Sequence, residues 1–287
     1  WIIWVYVVRF LLCLFNMSTE PDTTIASRGH STNLVGVPTG LLASVSFNDY
    51  PIVMSISGTR ESHRSLFERL GSINDAGEAA RVFQDYMALL FGLDDTQEKN
   101  GRRRFRASYL RLLKDWGFDS NSHAAAVMKG WVESRFGLFP TFHKGPIRRF
   151  NSPEWIGYME DKMSSRFNNN TIHMQLDLLY EFCQWMLTRH YATGRKHLLL
   201  YRGTNDLREQ QLIQQLDKRS AIVRLNNLVS FSSKRDIADE FGDTIIEVEV
   251  PASKILFYNE LLPDHPLKGE AEWLVIGGDY RVRMSYY

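Results

Sequence analysis

The spacing of apolar residues changes once along this 287-residue chain, near Gly194, and that change limits the folds open to it. Before it, apolar residues recur three or four apart over 66–70, 79–91, 105–116, 123–136 and 154–167, with Gly, Asn or Pro between the segments. This is the period of helices that bury one face. The stretch 171–190 carries Ile172, Leu176, Leu179, Cys183 and Met186 on one stripe, broadened by Leu178, Phe182 and Trp185, and predicts a long helix through the core. After Gly194, short alternating runs predict strands over 197–202, 227–232, 244–250, 254–257, 270–276 and 280–286, interrupted by helices over 206–216 and 235–241. No internal repeat or low-complexity linker separates the two parts, so the expectation is an α+β fold with a helical lobe packed on a strand-rich one.

Composition narrows the function classes. With 44% hydrophobic and 23% charged residues the chain can bury a full core. Lys and Arg number 34 against 33 acidic residues, so no overall field draws it to nucleic acid or an anionic membrane. Cys13 and Cys183 match neither a zinc spacing nor a disulfide framework, which points to a reducing compartment, the cytoplasm by default. Residues 1–16 are almost wholly apolar, too short for a membrane span, and lack the flanks of a signal peptide. They are read as translated upstream sequence before Met17, with an apolar leader as the alternative.

Three pieces of the strand-rich part carry the chemistry. Tyr201-Arg202-Gly203 ends its first strand, Ser230-Phe231-Ser232-Ser233 ends the second, and Glu270-Ala271-Glu272 opens a late one. Side chains two apart on a strand share a face, so Glu270 and Glu272 present two carboxylates to one cleft. Arg202 offers a forked donor to a phosphate or ribose, Gly203 lets backbone come close, and serine hydroxyls can orient a carboxylate. Glu247-Val248-Glu249 has the same form but lies within the alternation Ile246, Val248, Val250, and is read as the solvated face of a strand. No GxGxxG, Walker loop, GxSxG or HExxH is present, and no metal is expected. His30 and His63 are read as structural or capping residues.

The ordered set of Arg202, Ser230-Phe231-Ser232 and Glu270-Ala271-Glu272 resembles the arginine-specific mono-ADP-ribosyltransferases, as does IADEFG at 237–242. The stretches RGHSTNLVGVPTGLLAS, SISGTRESHRSLFERL and LLPDHPLKGEAEWLVIGGDYRV are similar to the NAD-dependent dinitrogenase reductase ADP-ribosyltransferases of nitrogen-fixing bacteria. That likeness runs from about Ser27 to Tyr287. It implies a split β-sandwich core that binds NAD as cosubstrate, with no prosthetic group, over 192–287, and a helical lobe over 17–191 that helps recognise the target. It further implies that Glu272 stabilises the oxocarbenium-like ribose and Glu270 holds and helps deprotonate the acceptor guanidinium. Arg202 would clamp NAD beside Gly203, and Ser230 would orient Glu272. Phe231 stands where the family carries Thr, which leaves the register of Ser230, Ser232 and Ser233 open.

The implied target is the nitrogenase iron protein, inactivated reversibly, and the implied activator a PII-type nitrogen-signalling protein. Arg102, Arg103, Arg104, Arg106 and Arg111, interleaved with Phe105, Tyr109, Leu110 and Leu112, predict a helix whose charged face is solvated or docks one of these partners. Two other functions stay open on the residues alone: arginine modification of a different protein, and a catalytically silent NAD-binding regulatory module.

Overall fold

A computed structural model describes residues 29–93, 98–99, 102–103, 107–205, 210–263 and 272–286. Among the described residues nine α-helices fall in the first two thirds and a tenth follows late: α1 (Thr39–Leu42), α2 (Val45–Asp49), α3 (Thr59–Ser62), α4 (Arg64–Gly71), α5 (Ala76–Phe91), α6 (Tyr109–Phe118), α7 (His123–Phe136), α8 (Pro153–Ser164), α9 (Asn170–Met186) and α10 (Arg235–Asp239). Their starts are written locally. Ser44, Asp75, Ser108, Ser122, Ser152 and Asn169 each accept a hydrogen bond from the backbone N–H three residues on, satisfying a donor the helix cannot. Gly92 and Gly137 end α5 and α7 at φ of 60° and 77°, the left-handed conformation that glycine adopts without strain.

A hairpin of β1 (Glu98–Lys99) and β2 (Arg102–Arg103) precedes the main sheet of β3 (His197–Thr204), β4 (Gln211–Gln215), β5 (Ser220–Ser232), β6 (Thr244–Pro251), β7 (Ile255–Tyr258) and β8 (Glu272–Tyr286). All of its pairings are antiparallel. β8 runs against β5 from Ser220↔Arg283 to Ser232↔Glu272, takes β7 at its start and β6 at its end. β3 pairs with β6 along its length and touches β5 only at Tyr201↔Ser232, which closes the circuit β3–β6–β8–β5. The architecture is mixed α+β.

One hydrophobic cluster runs through both parts, from Leu42 and Phe83 in the helices to Trp273 and Val282 in β8. α9 lies at its centre, with Leu176, Leu179, Phe182 and Cys183 fully buried, and continues as a π-helical turn over Leu187–Tyr191. Several of its buried polar groups are tied to neighbouring segments. Asp177 accepts from Arg135 at 2.8 Å and from Trp131 at 2.7 Å, while Glu181 accepts from Ser55 Oγ, the Ile56 N–H and Arg60. Gln184 donates to the carbonyls of Ala252 and Ile255, and Tyr180 to that of Ser253, which fastens the helix to the turn before β7.

Four expectations need correction. Residues 211–215, placed in a helix over 206–216, form the edge strand β4; residues 206–209 lie outside the described set. Helix-forming Gln and Leu give way to the open edge of β5, which pairs with β4 from Gln211↔Arg224 to Gln215↔Ala221 while Leu212 and Ile213 stay exposed. The two late strands are one, β8. Gly277-Gly278 marks a bulge, because the β5 register shifts between Leu225 and Leu228 and a Cβ on Gly277 would meet the Asn226 carbonyl oxygen at 1.7 Å. β5 likewise starts at Ser220, since its first half pairs with β8. The helix expected from 105 starts at Tyr109 behind its Ser108 cap, so Arg102 and Arg103 sit on β2 and Arg104 and Arg106 fall outside the described residues.

Lys254 is fully buried beneath the sheet, donating to the Gly277 carbonyl at 3.2 Å with its ammonium facing the rings of Phe47 and Tyr280. Burial pushes this ammonium down from 10.5 to about 7, the nearby Asp279 carboxylate acting the other way. Between those values the unfolded chain binds the extra proton, so this group makes stability rise with pH, by at most about 1.4 kcal/mol per pH unit. Denaturant unfolding at pH 7 to 9.5 is expected to show wild type gaining stability relative to Lys254→Met as pH rises. A constant difference between the two would refute this.

Candidate active site

The β5–β8 register places the site. Ser232 and Glu272 are direct cross-strand partners, so their side chains leave the sheet on one face, and Ser230, two residues back, shares that face. Ser230 Oγ donates to Glu272 Oε1 at 2.7 Å. Arg202 comes from β3, brought alongside by the Tyr201↔Ser232 bridge, and its guanidinium donates to the Ser230 carbonyl at 3.0 Å. Ser232 Oγ accepts from the Lys234 N–H at 3.1 Å in the turn into α10. The Ser230 hydroxyl thus reaches the Glu272 carboxylate.

These side chains open onto a cleft of about 630 Å³. Arg202, Gly203, Ser230, Phe231, Ser232 and Glu272 all line it. Six of the seven expected site positions therefore stand around one cavity, large enough for a nucleotide-sized ligand. Glu272 is 6% exposed and sits where the cleft meets the sheet. Glu270 and Ser233 differ: Glu270 lies outside the described residues, and Ser233 is not among the cleft-lining residues. The decoy pair behaves as a strand face, with Glu249 exposed and Glu247 bonded to Arg283 at 3.2 Å.

Gly203 has a packing reason of its own. A Cβ there would lie 1.9 Å from the carbonyl oxygen of Ala238, so α10 can rest on β3 only over a glycine. The opposite wall comes from the helical part. Trp116 and exposed Phe118 of α6 line the cleft, as do Phe142 and Lys144 of the loop after α7. Trp116 Nε1 donates to Ser230 Oγ at 2.8 Å. In sequence Trp116 is only the last apolar residue of a helical stripe, and nothing in its neighbourhood pairs it with a serine 114 positions away. Lys144 adopts φ of 58°, uncommon outside glycine, and its ammonium meets Asp161 at 2.5 Å. The histidines singled out earlier bond away from the cleft, His30 to Thr32 at 3.1 Å and His63 to Tyr86 of α5 at 2.9 Å. Among the described residues no helix is long and apolar enough to cross a membrane, and no group of three or more His, Cys, Asp or Glu is placed to hold a metal.

A mixed α+β fold in which an arginine, a serine and a carboxylate from three neighbouring antiparallel strands, β3, β5 and β8, meet beside one cleft is consistent with an ADP-ribosyltransferase core. The comparisons with known proteins give the family. The profile described as Dinitrogenase reductase ADP-ribosyltransferase (DRAT) matches residues 32–284. The NAD(+)--dinitrogen-reductase ADP-D-ribosyltransferase of Rhodospirillum rubrum is 59% identical over 264 residues, covering 90% of this chain and 96% of its own length. The chain belongs to the dinitrogenase reductase ADP-ribosyltransferase family. No solved structure matches it.

Gly203→Ala is expected to destabilise the fold by roughly 1–3 kcal/mol, the usual cost of forcing atoms into a filled site. Unfolding in urea measures this. Unchanged stability would show that α10 moves aside freely.

Proposed function

We propose that this chain transfers ADP-ribose from NAD to an arginine side chain of dinitrogenase reductase, the nitrogenase iron protein, inactivating it reversibly. The supporting observation is the Glu272 carboxylate, held by Ser230 at 2.7 Å beside Arg202 on a cleft of about 630 Å³. The 59% identity to a relative named for this reaction supports the choice of target.

In the proposed reaction the bond between the ribose C1′ and the nicotinamide nitrogen breaks, and its electron pair leaves with nicotinamide. The positive charge this leaves on the ribose is stabilised by the Glu272 carboxylate, most effectively in a site partly closed to water. A guanidinium nitrogen of the acceptor then bonds to C1′ and gives up its proton. Free guanidinium has a pKa above about 12 and is a poor nucleophile, so a base must take that proton as the bond forms. We assign this to Glu270. Arg202 offers guanidinium donors to the pyrophosphate or ribose of NAD. NAD is a consumed cosubstrate in this scheme, and the chemistry calls for no prosthetic group or metal.

The division of labour is proposed on the same footing. Residues 192–287 form the NAD-binding core and the helical part, 17–191, recognises the target. Activation by a PII-type signalling protein, and a cytoplasmic setting, follow from the family resemblance and from the absence of disulfide or zinc spacing in the sequence.

Transfer of labelled ADP-ribose to purified dinitrogenase reductase tests the proposal, with PII protein and ADP present. Wild type is expected to label the iron protein and Glu272→Gln to lose roughly 100-fold or more. Glu270→Gln should lose transfer while keeping slow NAD hydrolysis. Hydrolysis that depends on Glu272 without labelling of the iron protein would reject the target and keep the chemistry. No NAD cleavage at all would reject both.

A further inference from the structure

We propose that Trp116 is a positioning residue for the reaction: its indole N–H fixes the direction of the Ser230 hydroxyl and, through it, the orientation of the Glu272 carboxylate. The inference rests on the transferase reading of Glu272, but it concerns a residue of α6, outside the strand-borne motif.

Three facts carry it. Trp116 Nε1 lies 2.8 Å from Ser230 Oγ, and Ser230 Oγ lies 2.7 Å from Glu272 Oε1. An indole nitrogen can only donate, whereas a hydroxyl has one proton and two lone pairs. With the indole filling a lone pair of Ser230, the hydroxyl proton is directed to the carboxylate, and the two bonds form a polarised chain. Without it the hydroxyl is free to rotate, and the Glu272 carboxylate loses a fixed donor.

The indole is itself held rigidly. Trp116 is 3% exposed, on the last turns of α6, and the buried Lys129 ammonium lies over its ring at 5.9 Å. Lys129 donates to the Phe142 carbonyl at 3.0 Å and sits 3.3 Å from His143 Nδ1, whose other nitrogen is 2.8 Å from Asp161. Burial and the Lys129 charge push His143 down to about 4, against the pull of Asp161. His143 is therefore neutral near pH 7, accepting from Lys129 through Nδ1 and donating to Asp161 through Nε2, a tautomer assigned from its two partners. Helices α7 and α8 thus brace α6 from behind, and α6 meets Ser230 through the Trp116 indole.

The test is steady-state NAD cleavage by wild type, Trp116→Phe, Ser230→Ala, the double variant and Glu272→Gln. Removing the indole donor should lower kcat about tenfold, the effect of one hydrogen bond acting on a charged group, and leave KM for NAD within about twofold. It should also move the acid limb of kcat to higher pH, because a carboxylate that loses a donor is more easily protonated. A residue that merely fills space would not shift that limb. Because both single variants break one chain, the double variant should be no slower than Ser230→Ala. If Trp116→Phe fails to fold, benzothienylalanine at position 116 keeps the ring shape and removes only the N–H, and the same losses are expected. A wild-type pH profile in either replacement, or losses that multiply in the double variant, would overturn the proposal. Glu272→Gln as fast as wild type would instead remove the transferase reading on which it rests.

Discussion

The antiparallel register of β5 against β8 is the constraint on which the site depends. Because Ser232 faces Glu272, the serine two residues back shares the carboxylate's face of the sheet and lies within one hydrogen bond of it. A slip of one residue would send Ser230 and Ser232 to the opposite face. The register is pinned far from the site, by Leu225 and Leu228 flanking a bulge and by Gly277, where only the absence of a Cβ lets the Asn226 carbonyl pass. Asp279, two residues further along β8, is anchored by Arg224 at 2.7 Å and by its own N–H to the Ala43 carbonyl.

The helical part is built into this arrangement. α9 carries carboxylates and amides through the core, and Asp177, Glu181 and Gln184 each bond to a different segment, so the helices and the turn before β7 share one set of buried hydrogen bonds. Removing one partner would leave a buried polar group unpaired, which costs more than the bond itself contributes. The cleft inherits this rigidity: one wall is sheet, and the other is α6 with the loop after α7. In the proposed reaction this division holds NAD against the strands and leaves the helical face for the target.

Much of this was legible in the sequence, and the rest was hidden for identifiable reasons. The helices were legible from their apolar spacing, and the stripe on α9 is long enough to outvote its buried polar residues. Arg202, Ser230 and Glu272 could be singled out because strand ends and two-residue spacing set side-chain direction. The segment 211–215 was misread because its helix propensity carries no information about the vacant edge of β5. Gly277-Gly278 resembles a strand end locally and is a bulge only in view of what β5 does opposite it. Trp116 was invisible as a site residue: its partner is brought in by the packing of α6 on the sheet, and a tryptophan on an apolar stripe has no local mark that distinguishes a hydrogen-bonding role from burial.

In the proposed reaction NAD is cleaved in the cleft beside Glu272. A crystal structure of the Glu272→Gln variant soaked with NAD tests it most directly. The expected result places the nicotinamide ribose within hydrogen-bonding distance of position 272, with Arg202 on the phosphate or ribose side and Trp116 still bonded to Ser230. NAD bound elsewhere on the chain, with this cleft empty at saturating concentration, would contradict it.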